Sequence, residues 1–320
     1  MRAWVNERYG SVEELDLREV PTPEPAPGEV LVEVVATSVN LSDWEGLRGS
    51  PAYARLGGLR RPLRRPILGS DVAGRVVAVG DGVTRFAVGD EVYGDNIPRF
   101  GGFAEYVAMP ETALARKPPA LTLAQASAVP QAGAIAAQAV ALAAPGERML
   151  INGAGGGSGS FAIQLAVAKG LQVTGVDNAG KLDFLRRLGA HEAIDYRQTD
   201  FTRTGPYDVV VDLVAHRSVF AYRRALAPRG RCLMVGGTVR TMLRMLTLGT
   251  VVGALTRTRL GILVVHEGPA HFTDLADRCA AGEVDIHIDR TFDLADLPAA
   301  LVHHGEGRAL GKVVVLVRDA

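Results

Sequence analysis

The sequence predicts an α/β protein that combines a β-rich antiparallel region with a doubly wound parallel-sheet domain. From residue 1 to about 117, short runs of alternating apolar and polar residues are separated by Gly and Pro, which is typical of half-buried antiparallel strands. From about residue 123, continuous apolar runs alternate with helical segments, which indicates parallel strands covered on both faces. A glycine cluster joins one of these runs to a helix. We therefore predict domain limits of 1–122, 123–261 and 262–320, the last segment returning to the first.

The composition is that of a folded globular chain without a strongly charged partner. Over 320 residues, 35 Lys+Arg balance 35 Asp+Glu, and we expect no long segment with a cationic excess, which argues against nucleic-acid binding. The most apolar region, 241–265, is interrupted by arginines, so no membrane span is predicted. Cys232 and Cys279 are far apart and belong to no CxxC or Cys/His motif, so the sequence supports neither a disulfide framework nor a thiolate metal cluster. Since no leader follows Met1, we expect a cytoplasmic protein.

The individual elements follow from the same two periodicities. In the β-rich region the predicted strands are Glu29–Val35, Val72–Val79, Asp90–Tyr93 and Ala104–Ala108. In the parallel-sheet domain the predicted strands are Met149–Asn152, Leu171–Val176, Tyr207–Val214 and Arg231–Val235, and the predicted helices are Leu123–Ala144, Ser158–Lys169 and Lys181–Leu188. A helix over 271–281 and a strand over Lys312–Val317 complete the chain.

The segment from Gly153 to Gly159 predicts a site for a dinucleotide. It follows a strand and opens a helix, so glycines allow the backbone to approach a pyrophosphate while the helix N-terminus faces the anion. A strict GxGxxG is missing, although the variant Ala154-x-Gly156-x-x-Gly159 fits. A flexible glycine-rich turn is the alternative. The candidate cofactor residues here are Gly153, Ala154, Gly156, Gly157, Ser158 and Gly159.

The second predicted strand of this domain ends at residues that bear on the choice of coenzyme. Asp177 stands eighteen residues after Gly159, where a carboxylate accepts hydrogen bonds from ribose hydroxyls and favours NAD(H). Lys181 and Tyr196 lie where they could contact the 2′-phosphate of NADP(H), and Asn178 could tolerate that phosphate. Lys181 could equally be a solvated helix-start lysine. The preference between NADP(H) and NAD(H) stays open.

Motifs along nearly the whole chain resemble the medium-chain dehydrogenase/reductase superfamily, and within it the zinc-free quinone oxidoreductase and enone reductase branch. The motifs are Val39-Asn40-Leu41-Ser42-Asp43-Trp44, Leu68-Gly69-Ser70-Asp71-Val72-Ala73-Gly74, Val79-Gly80, Gly89-Asp90-Glu91-Val92, Gly101-Gly102-Phe103-Ala104-Glu105-Tyr106, the glycine loop, Leu188-Gly189-Ala190 and Gly311-Lys312-Val313-Val314. The resemblance implies a GroES-like catalytic domain from both chain ends, a Rossmann domain between them, a nicotinamide coenzyme and a homodimer.

Departures from the zinc-dependent relatives predict that no metal takes part. Those relatives carry Cys in the place of Asn40 and Gly-His-Glu in the place of Gly69-Ser70-Asp71, and an amide and a hydroxyl are poor zinc ligands. On the nicotinamide side, relatives commonly read Gly-Leu-Thr where Gly133-Ala134-Ile135 stands, which leaves Gln131 as a polar candidate. Gly236 and Gly237, after the last predicted strand of the sheet, complete the cofactor set.

A metal-free site favours substrates that accept a hydride readily, such as quinones and α,β-unsaturated carbonyl compounds. The candidate donors for the developing enolate are Asn40, Ser42 and Tyr53. Each has a structural alternative: a loop hydrogen bond for Asn40, a helix N-cap paired with Glu45 for Ser42, and a surface aromatic for Tyr53.

The sequence leaves open the role of one charge cluster and does not exclude two other functions. The arginines between 55 and 65 could recruit an anionic acyl-CoA or form a solvated loop; they are Arg55, Arg60, Arg61, Arg64 and Arg65. The alternative functions are a zinc-free alcohol or aldehyde dehydrogenase and a cofactor-binding regulatory protein with little turnover.

Overall fold

The computed structural model describes residues 1–59, 61–62 and 66–318. They form two compact units, the first made of Met1–Ala134 with His266–Ala320 and the second of Ile135–Val265. The predicted α/β class is confirmed, with a mainly antiparallel sheet in the first unit and a parallel sheet in the second. The predicted domain limits at 122/123 and 261/262 stay a prediction.

The first unit is built around a mainly antiparallel sheet. The strands of that sheet are β3 (Glu29–Val39), β4 (Asp71–Val79), β5 (Glu91–Asp95), β6 (Tyr106–Pro110), β7 (Leu114–Arg116), β14 (Ile288–Asp293) and β15 (Lys312–Leu316). The strands β1 (Arg2–Asn6) and β2 (Leu15–Glu19) pair with each other in a separate two-stranded sheet. Val30, Val32 and Val34 are fully buried along β3, but Val35 and Ala36 are fully buried too, so this strand is covered on both faces instead of being half-buried as the period-two pattern predicts. Strand β15 pairs antiparallel with β3, so the chain end completes the sheet that the chain start began.

Among the described residues of the first unit, five helices begin, and one of them differs from the predicted helix. They are α1 (Leu41–Arg48), α2 (Leu123–Ser127), α3 (Pro130–Ala141), α9 (Thr273–Ala280) and α10 (Leu297–Gly305). The single helix predicted over Leu123–Ala144 is wrong, since α2 ends at Ser127 and α3 begins at Pro130. Proline disfavours a helical conformation in the residue before it but is well suited to the first position of a helix.

The second unit contains a six-stranded sheet in which all strands are parallel, in the order β10-β9-β8-β11-β12-β13. The elements are β8 (Arg148–Asn152), α4 (Gly157–Ala168), β9 (Gln172–Asp177), α5 (Leu182–Arg187), β10 (Glu192–Asp195), β11 (Tyr207–Asp212), α6 (Val219–Ala225), β12 (Leu226–Met234), α7 (Val239–Arg244), α8 (Thr250–Thr256) and β13 (Arg259–Ile262). Val209, Val210 and Val211 are all fully buried, so β11 is covered on both faces.

The segment before β13 has two properties that the sequence analysis missed. Residues 239–256 form the helices α7 and α8, joined by a π-helical turn at Met245–Gly249. The expectation of no cationic segment is wrong, because residues 213–266 contain nine arginines and no acidic residue. None of the helices within residues 1–59, 61–62 and 66–318 combines the length and the apolar character that a membrane span requires.

Candidate functional site

The glycine loop connects β8 to α4, and two of its glycines are required by the backbone. Gly153 has a φ of +81°, in the left-handed region. A Cβ on Gly159 would lie 2.5 Å from the carbonyl oxygens of both Gly153 and Ala154, so only glycine allows this close approach. A Cβ on Gly156, by contrast, would meet only the Gly153 oxygen at 3.6 Å. A side chain would therefore clash with the loop backbone at Gly159, whereas the space beside Gly156 is free.

The start of α4 offers hydrogen-bond donors to an anion. The first intrahelical bond runs from the Ser160 N–H to the Gly156 oxygen, so the N–H groups of Gly157, Ser158 and Gly159 precede the helical hydrogen bonding. The positive end of the helix dipole lies at the same place. Ala154 differs from these residues, because it is fully buried and its N–H donates to the Val176 oxygen. These features fit the pyrophosphate of a dinucleotide.

The end of β9 is tied to this loop through Asp177. One carboxylate oxygen accepts the Gly155 N–H at 2.9 Å, and the other accepts the backbone and side-chain N–H groups of Asn178 at 2.9 and 3.1 Å. The Lys181 ammonium lies 3.9 Å from the second oxygen, and Lys181 is only 6% exposed. The solvated-lysine interpretation of Lys181 is therefore wrong. Asp177 holds the loop in shape whether or not it also contacts a ribose.

The remaining predicted cofactor residues of the second unit lie at strand ends. The Tyr196 N–H donates to the Asp177 oxygen, and the Arg197 guanidinium stacks 5.6 Å from the Tyr196 ring. Gly236 and Gly237 follow β12 with φ values of +70° and +102°. All of these lie at the carboxyl ends of parallel strands, where doubly wound sheets bind their ligands.

In the first unit, four polar groups converge on the buried carboxylate of Asp71. It accepts hydrogen bonds from Ser38 Oγ at 2.7 Å, Asn40 Nδ2 at 2.8 Å and the Gln131 backbone N–H at 3.0 Å. The Lys312 ammonium lies 3.4 Å from the same group and donates to Asn40 Oδ1 at 2.7 Å. Asp71 is fully buried and Lys312 is 2% exposed, so this is a desolvated ion pair. We call these five residues the Asp71 network.

The members of the Asp71 network come from the ends of different elements. Asn40 lies between β3 and α1, Asp71 begins β4, Gln131 lies in the first turn of α3, and Lys312 begins β15. The hydrogen bond from Lys312 to Asn40 joins residues 272 positions apart. Asp71 and Lys312 were part of the quoted motifs, but nothing in the sequence showed that they meet.

A second buried carboxylate, Asp43, holds the adjacent backbone. It accepts the N–H groups of Asn40 at 2.8 Å, Ser70 at 3.0 Å and Gly69 at 3.2 Å. Burial raises the pKa of Asp43 to about 7. The cap of α1 is Asn40 with Asp43 as its capping-box partner, so the interpretation of Ser42 as an N-cap paired with Glu45 is wrong.

Ser42 and Gln131 form a contact between α1 and α3. The Ser42 hydroxyl donates to Gln131 Oε1 at 3.0 Å. Gln131 is 8% exposed, and within the described residues its Nε2 group has no acceptor. The structure therefore brings three predicted residues together, since Asn40, Ser42 and Gln131 all belong to the Asp71 network or contact it.

Tyr53 is paired with a carboxylate one turn further along α1. Its hydroxyl donates to Glu45 Oε2 at 2.9 Å, which argues against an unpartnered surface aromatic. Burial raises the pKa of Glu45 to about 7, against the opposing effect of the Tyr53 hydrogen bond. Burial and the adjacent carboxylate also raise the pKa of Tyr53. Because Ser42 and Glu45 are three residues apart on a helix, the two pairs lie on the same side of α1.

The arginine cluster is only partly visible. Arg60, Arg64 and Arg65 lie outside the described residues. Arg55 donates to the Gly49 oxygen at 2.8 Å and stacks over Tyr9, so it packs against its own unit. Among residues 1–59, 61–62 and 66–318, no group of three or more His, Cys, Asp or Glu side chains could hold a metal ion.

Comparison with known proteins gives consistent matches over the whole chain. An alcohol dehydrogenase GroES-like domain matches residues 26–119, and a zinc-binding dehydrogenase family matches residues 188–315. The chain is 33% identical to 2-methylene-furan-3-one reductase of Solanum lycopersicum, covering 98% of this chain and 79% of that protein. It is 29% identical to the mitochondrial NAD(P)H oxidoreductase of Bos taurus, covering 99% and 89%. The solved structure of the quinone oxidoreductase from Coxiella burnetii superposes with a TM-score of 0.91 at 30% identity, covering 99% of each chain.

Proposed function

Because the chain belongs to the quinone oxidoreductase and enone reductase branch of the medium-chain dehydrogenase/reductase superfamily, we propose that it transfers a hydride from NADPH to a quinone or an α,β-unsaturated carbonyl compound. It is an NAD(P)H-dependent oxidoreductase of this superfamily. The observation that carries the choice of substrate is the Asp71 network. The alcohol or aldehyde dehydrogenase and the regulatory protein have less support, since 2-methylene-furan-3-one reductase and the quinone oxidoreductase from Coxiella burnetii match the chain at 30% identity or more over nearly its whole length.

The Asp71 network and the adjacent Ser70 hydroxyl support a reaction without zinc. Where zinc-dependent relatives have a thiolate and an imidazole, this chain has the Asn40 amide and the Ser70 hydroxyl, which bind zinc poorly. The Lys312 ammonium already balances the Asp71 carboxylate in this region. A substrate that receives no help from a Lewis acid must spread the incoming charge by itself, as quinones and conjugated enones do.

The second unit supplies the residues that would hold the coenzyme, whose reduced nicotinamide provides the hydride when bound. The N–H groups at the start of α4 would bind the pyrophosphate, together with the helix dipole. Gly153 and Gly159 allow the backbone to form this cradle, and Gly156 leaves it open. Gly236 and Gly237 would lie toward the nicotinamide.

Tyr53 is the candidate proton donor, and Glu45 controls it. While the carboxyl of Glu45 is ionised, it holds the Tyr53 hydroxyl proton in a hydrogen bond. When Glu45 is protonated it can instead donate to the Tyr53 oxygen, which frees the hydroxyl to deliver a proton to the substrate carbon. Since the Glu45 pKa is raised to about 7, this exchange takes place near neutral pH.

We assign NADPH rather than NADH as the preferred reductant. Both oxygens of Asp177 already accept hydrogen bonds from protein N–H groups, which leaves them less free for ribose hydroxyls. Lys181 and Arg197 bring positive charge to the same strand ends, where a 2′-phosphate would lie. Asn178 would tolerate the phosphate.

We further propose a cytoplasmic homodimer formed through the outer strand β13. Strand β13 ends the six-stranded sheet, and its free edge could pair with that of a second copy. Large apolar side chains beside it are exposed, including Leu255 at 80% and Val264 at 70%. A reducing compartment agrees with two buried, unbridged cysteines.

Sedimentation of Leu255→Glu tests the dimer. A buried charge at this position would shift the protein toward monomer, while Val88→Glu, an equally polar change at an exposed valine of the first unit, would leave the dimer intact. A wild-type protein that sediments as a monomer would rule the dimer out.

Steady-state kinetics with matched substrates test the proposed reaction. NADPH oxidation would be measured with methyl vinyl ketone and with its saturated counterpart, butanone. We expect the enone to react at least about 100-fold faster, because only the enone delocalises the incoming charge. Comparable rates with butanone would refute a reductase of conjugated substrates.

A further inference from the structure

The side-chain amide of Gln131 is buried with only one of its two ends satisfied. Its Oε1 accepts the Ser42 hydroxyl at 3.0 Å, and its backbone N–H donates to Asp71. Among the described residues, Nε2 has no acceptor although Gln131 is more than nine-tenths buried. Buried donors without a partner are rare in native proteins because an unmade hydrogen bond destabilises the folded state. Such a group points to a ligand that supplies the missing acceptor.

The position of this amide is fixed from two sides. Gln131 follows Pro130 in the first turn of α3, and its backbone is anchored to Asp71, which is itself held by Lys312. The Ser42 hydroxyl fixes the rotation of the amide from α1. A donor held in this way needs no rearrangement when charge develops on an acceptor in front of it.

The two candidate donors Asn40 and Ser42 have no hydrogen to spare. Asn40 uses its Nδ2 group on Ser70 at 3.1 Å and on Asp71 at 2.8 Å. The single hydroxyl hydrogen of Ser42 goes to Gln131. Of Asn40, Ser42 and Gln131, Gln131 is therefore the one with a donor still available, whereas the sequence predicts it only as a cofactor contact.

We propose that Gln131 Nε2 donates a hydrogen bond to the carbonyl oxygen of the enone or quinone, and that Ser42 is the positioning residue that holds it. This inference rests on the proposed function. In an enone, the electron pair of the nicotinamide C4–H bond forms the new C–H bond at the β-carbon, and the conjugated π electrons move onto the carbonyl oxygen. The resulting enolate collapses when its α-carbon takes a proton from Tyr53, which regains one from water through Glu45. Nicotinamide leaves oxidised and the substrate leaves with two more hydrogens.

The same donor chemistry would suit a second oxygen, that of the nicotinamide carboxamide. To distinguish the substrate carbonyl from the nicotinamide carboxamide as the acceptor, coenzyme binding and enolate binding are each measured without turnover. NADPH affinity follows from nicotinamide fluorescence. Enolate affinity follows from titration with dimedone, a cyclic diketone that is an enolate at neutral pH, in the presence of NADP⁺.

The decisive variants are Gln131→Glu and Gln131→Met. Glu keeps an acceptor for Ser42 and loses the donor, while Met keeps the length and loses both. We expect each to slow single-turnover hydride transfer to methyl vinyl ketone by about 100-fold or more, as for the loss of one oxyanion donor. Dimedone binding should weaken strongly, while NADPH affinity stays within about twofold.

Ser42→Ala and Ser42→Thr test the positioning role. Alanine should lower the hydride-transfer rate by about tenfold with an unchanged KM, and threonine should restore it because it keeps the hydroxyl. If alanine and threonine behave alike, Ser42 does not position the amide. Melting temperatures of all variants show that the fold is kept, and Gln131→Glu, the variant of the same shape, keeps the test valid if Met impairs folding.

Three outcomes would overturn the inference. Weakened NADPH binding with intact dimedone binding would assign the amide to the coenzyme. A wild-type rate of hydride transfer in Gln131→Glu alone would mean that the reaction does not need a hydrogen-bond donor at this position. Wild-type rates in both variants would leave Gln131 without a role. A wild-type enzyme that fails with every quinone and enone would instead refute the proposed function.

Discussion

The two compact units build their polar sites in opposite ways. In the second unit, one continuous loop from Gly153 to Gly159 exposes backbone N–H groups, and its glycines matter because they lack side chains. In the first unit, groups from three other segments meet around Asp71, namely side chains of residues 38–40 and 312 and the backbone N–H of Gln131, and the contact between Asn40 and Lys312 spans 272 positions. Adding a side chain to the loop should therefore weaken coenzyme binding, and removing a charge from the Asp71 network should lower the stability of the fold.

Removing the Lys312 charge should have the largest effect. Lys312→Met leaves the fully buried Asp71 without its cation, so we expect the free energy of unfolding to fall by about 3–5 kcal/mol in chemical denaturation. Lys169→Met is the matched control, since the Lys169 ammonium donates to the backbone carbonyls of Val140 and Ala141. If Lys312→Met and Lys169→Met lower the free energy of unfolding equally, the buried ion pair contributes no more to stability than Lys169 does.

Adding bulk to the loop should have the next largest effect, on binding rather than folding. Gly156→Val fills the open side of the cradle, so NADPH affinity measured by fluorescence titration should fall by about 100-fold while the melting temperature changes little. Ala168→Val, at the exposed far end of α4, should leave the affinity intact. Unchanged affinity in Gly156→Val would mean that the pyrophosphate does not lie on this loop.

The carboxyls of the first unit should also make its stability depend on pH. The folded pKa of Glu45 is raised from 4.5 to about 7, so the folded state holds a proton that the unfolded state releases, and this contribution to stability is lost as pH rises through that window. Asp43, raised to about 7 as well, adds to the loss. In Glu45→Gln the decline of the denaturation midpoint over this range should become shallower. If the denaturation midpoint of Glu45→Gln declines with pH as steeply as that of the wild type, the Glu45 carboxyl is in contact with water and its pKa is not raised.

The smallest expected effect concerns the coenzyme. Asp177→Ser removes a carboxylate that would repel a 2′-phosphate, so the ratio of kcat/KM for NADPH over NADH should rise by about tenfold. Asp183→Ser removes the same charge from an exposed position on α5 and should change the ratio little. If the two variants give the same ratio, Asp177 does not face the ribose.

The contrast between the units also explains what the sequence could predict. The glycine loop and Asp177 were identified because they lie at fixed spacing within one strand-loop-helix unit. The Asp71 network was not, since no local pattern reports that residues 40, 71, 131 and 312 meet. Two errors were avoidable: Pro130 marks a helix start within the predicted helix, and the arginine-rich, acid-free segment 213–266 is visible in the printed sequence.

The most direct test of the account is the rate of hydride transfer in protein whose metal content is known. Purified protein would be treated with a strong chelator, its metal content determined by mass spectrometry, and NADPH oxidation by methyl vinyl ketone followed in a single turnover. If side chains alone activate the substrate, protein with far less than one metal ion per chain keeps its full rate, and added zinc does not increase it. A rate that disappears with the metal and returns with zinc would contradict the account.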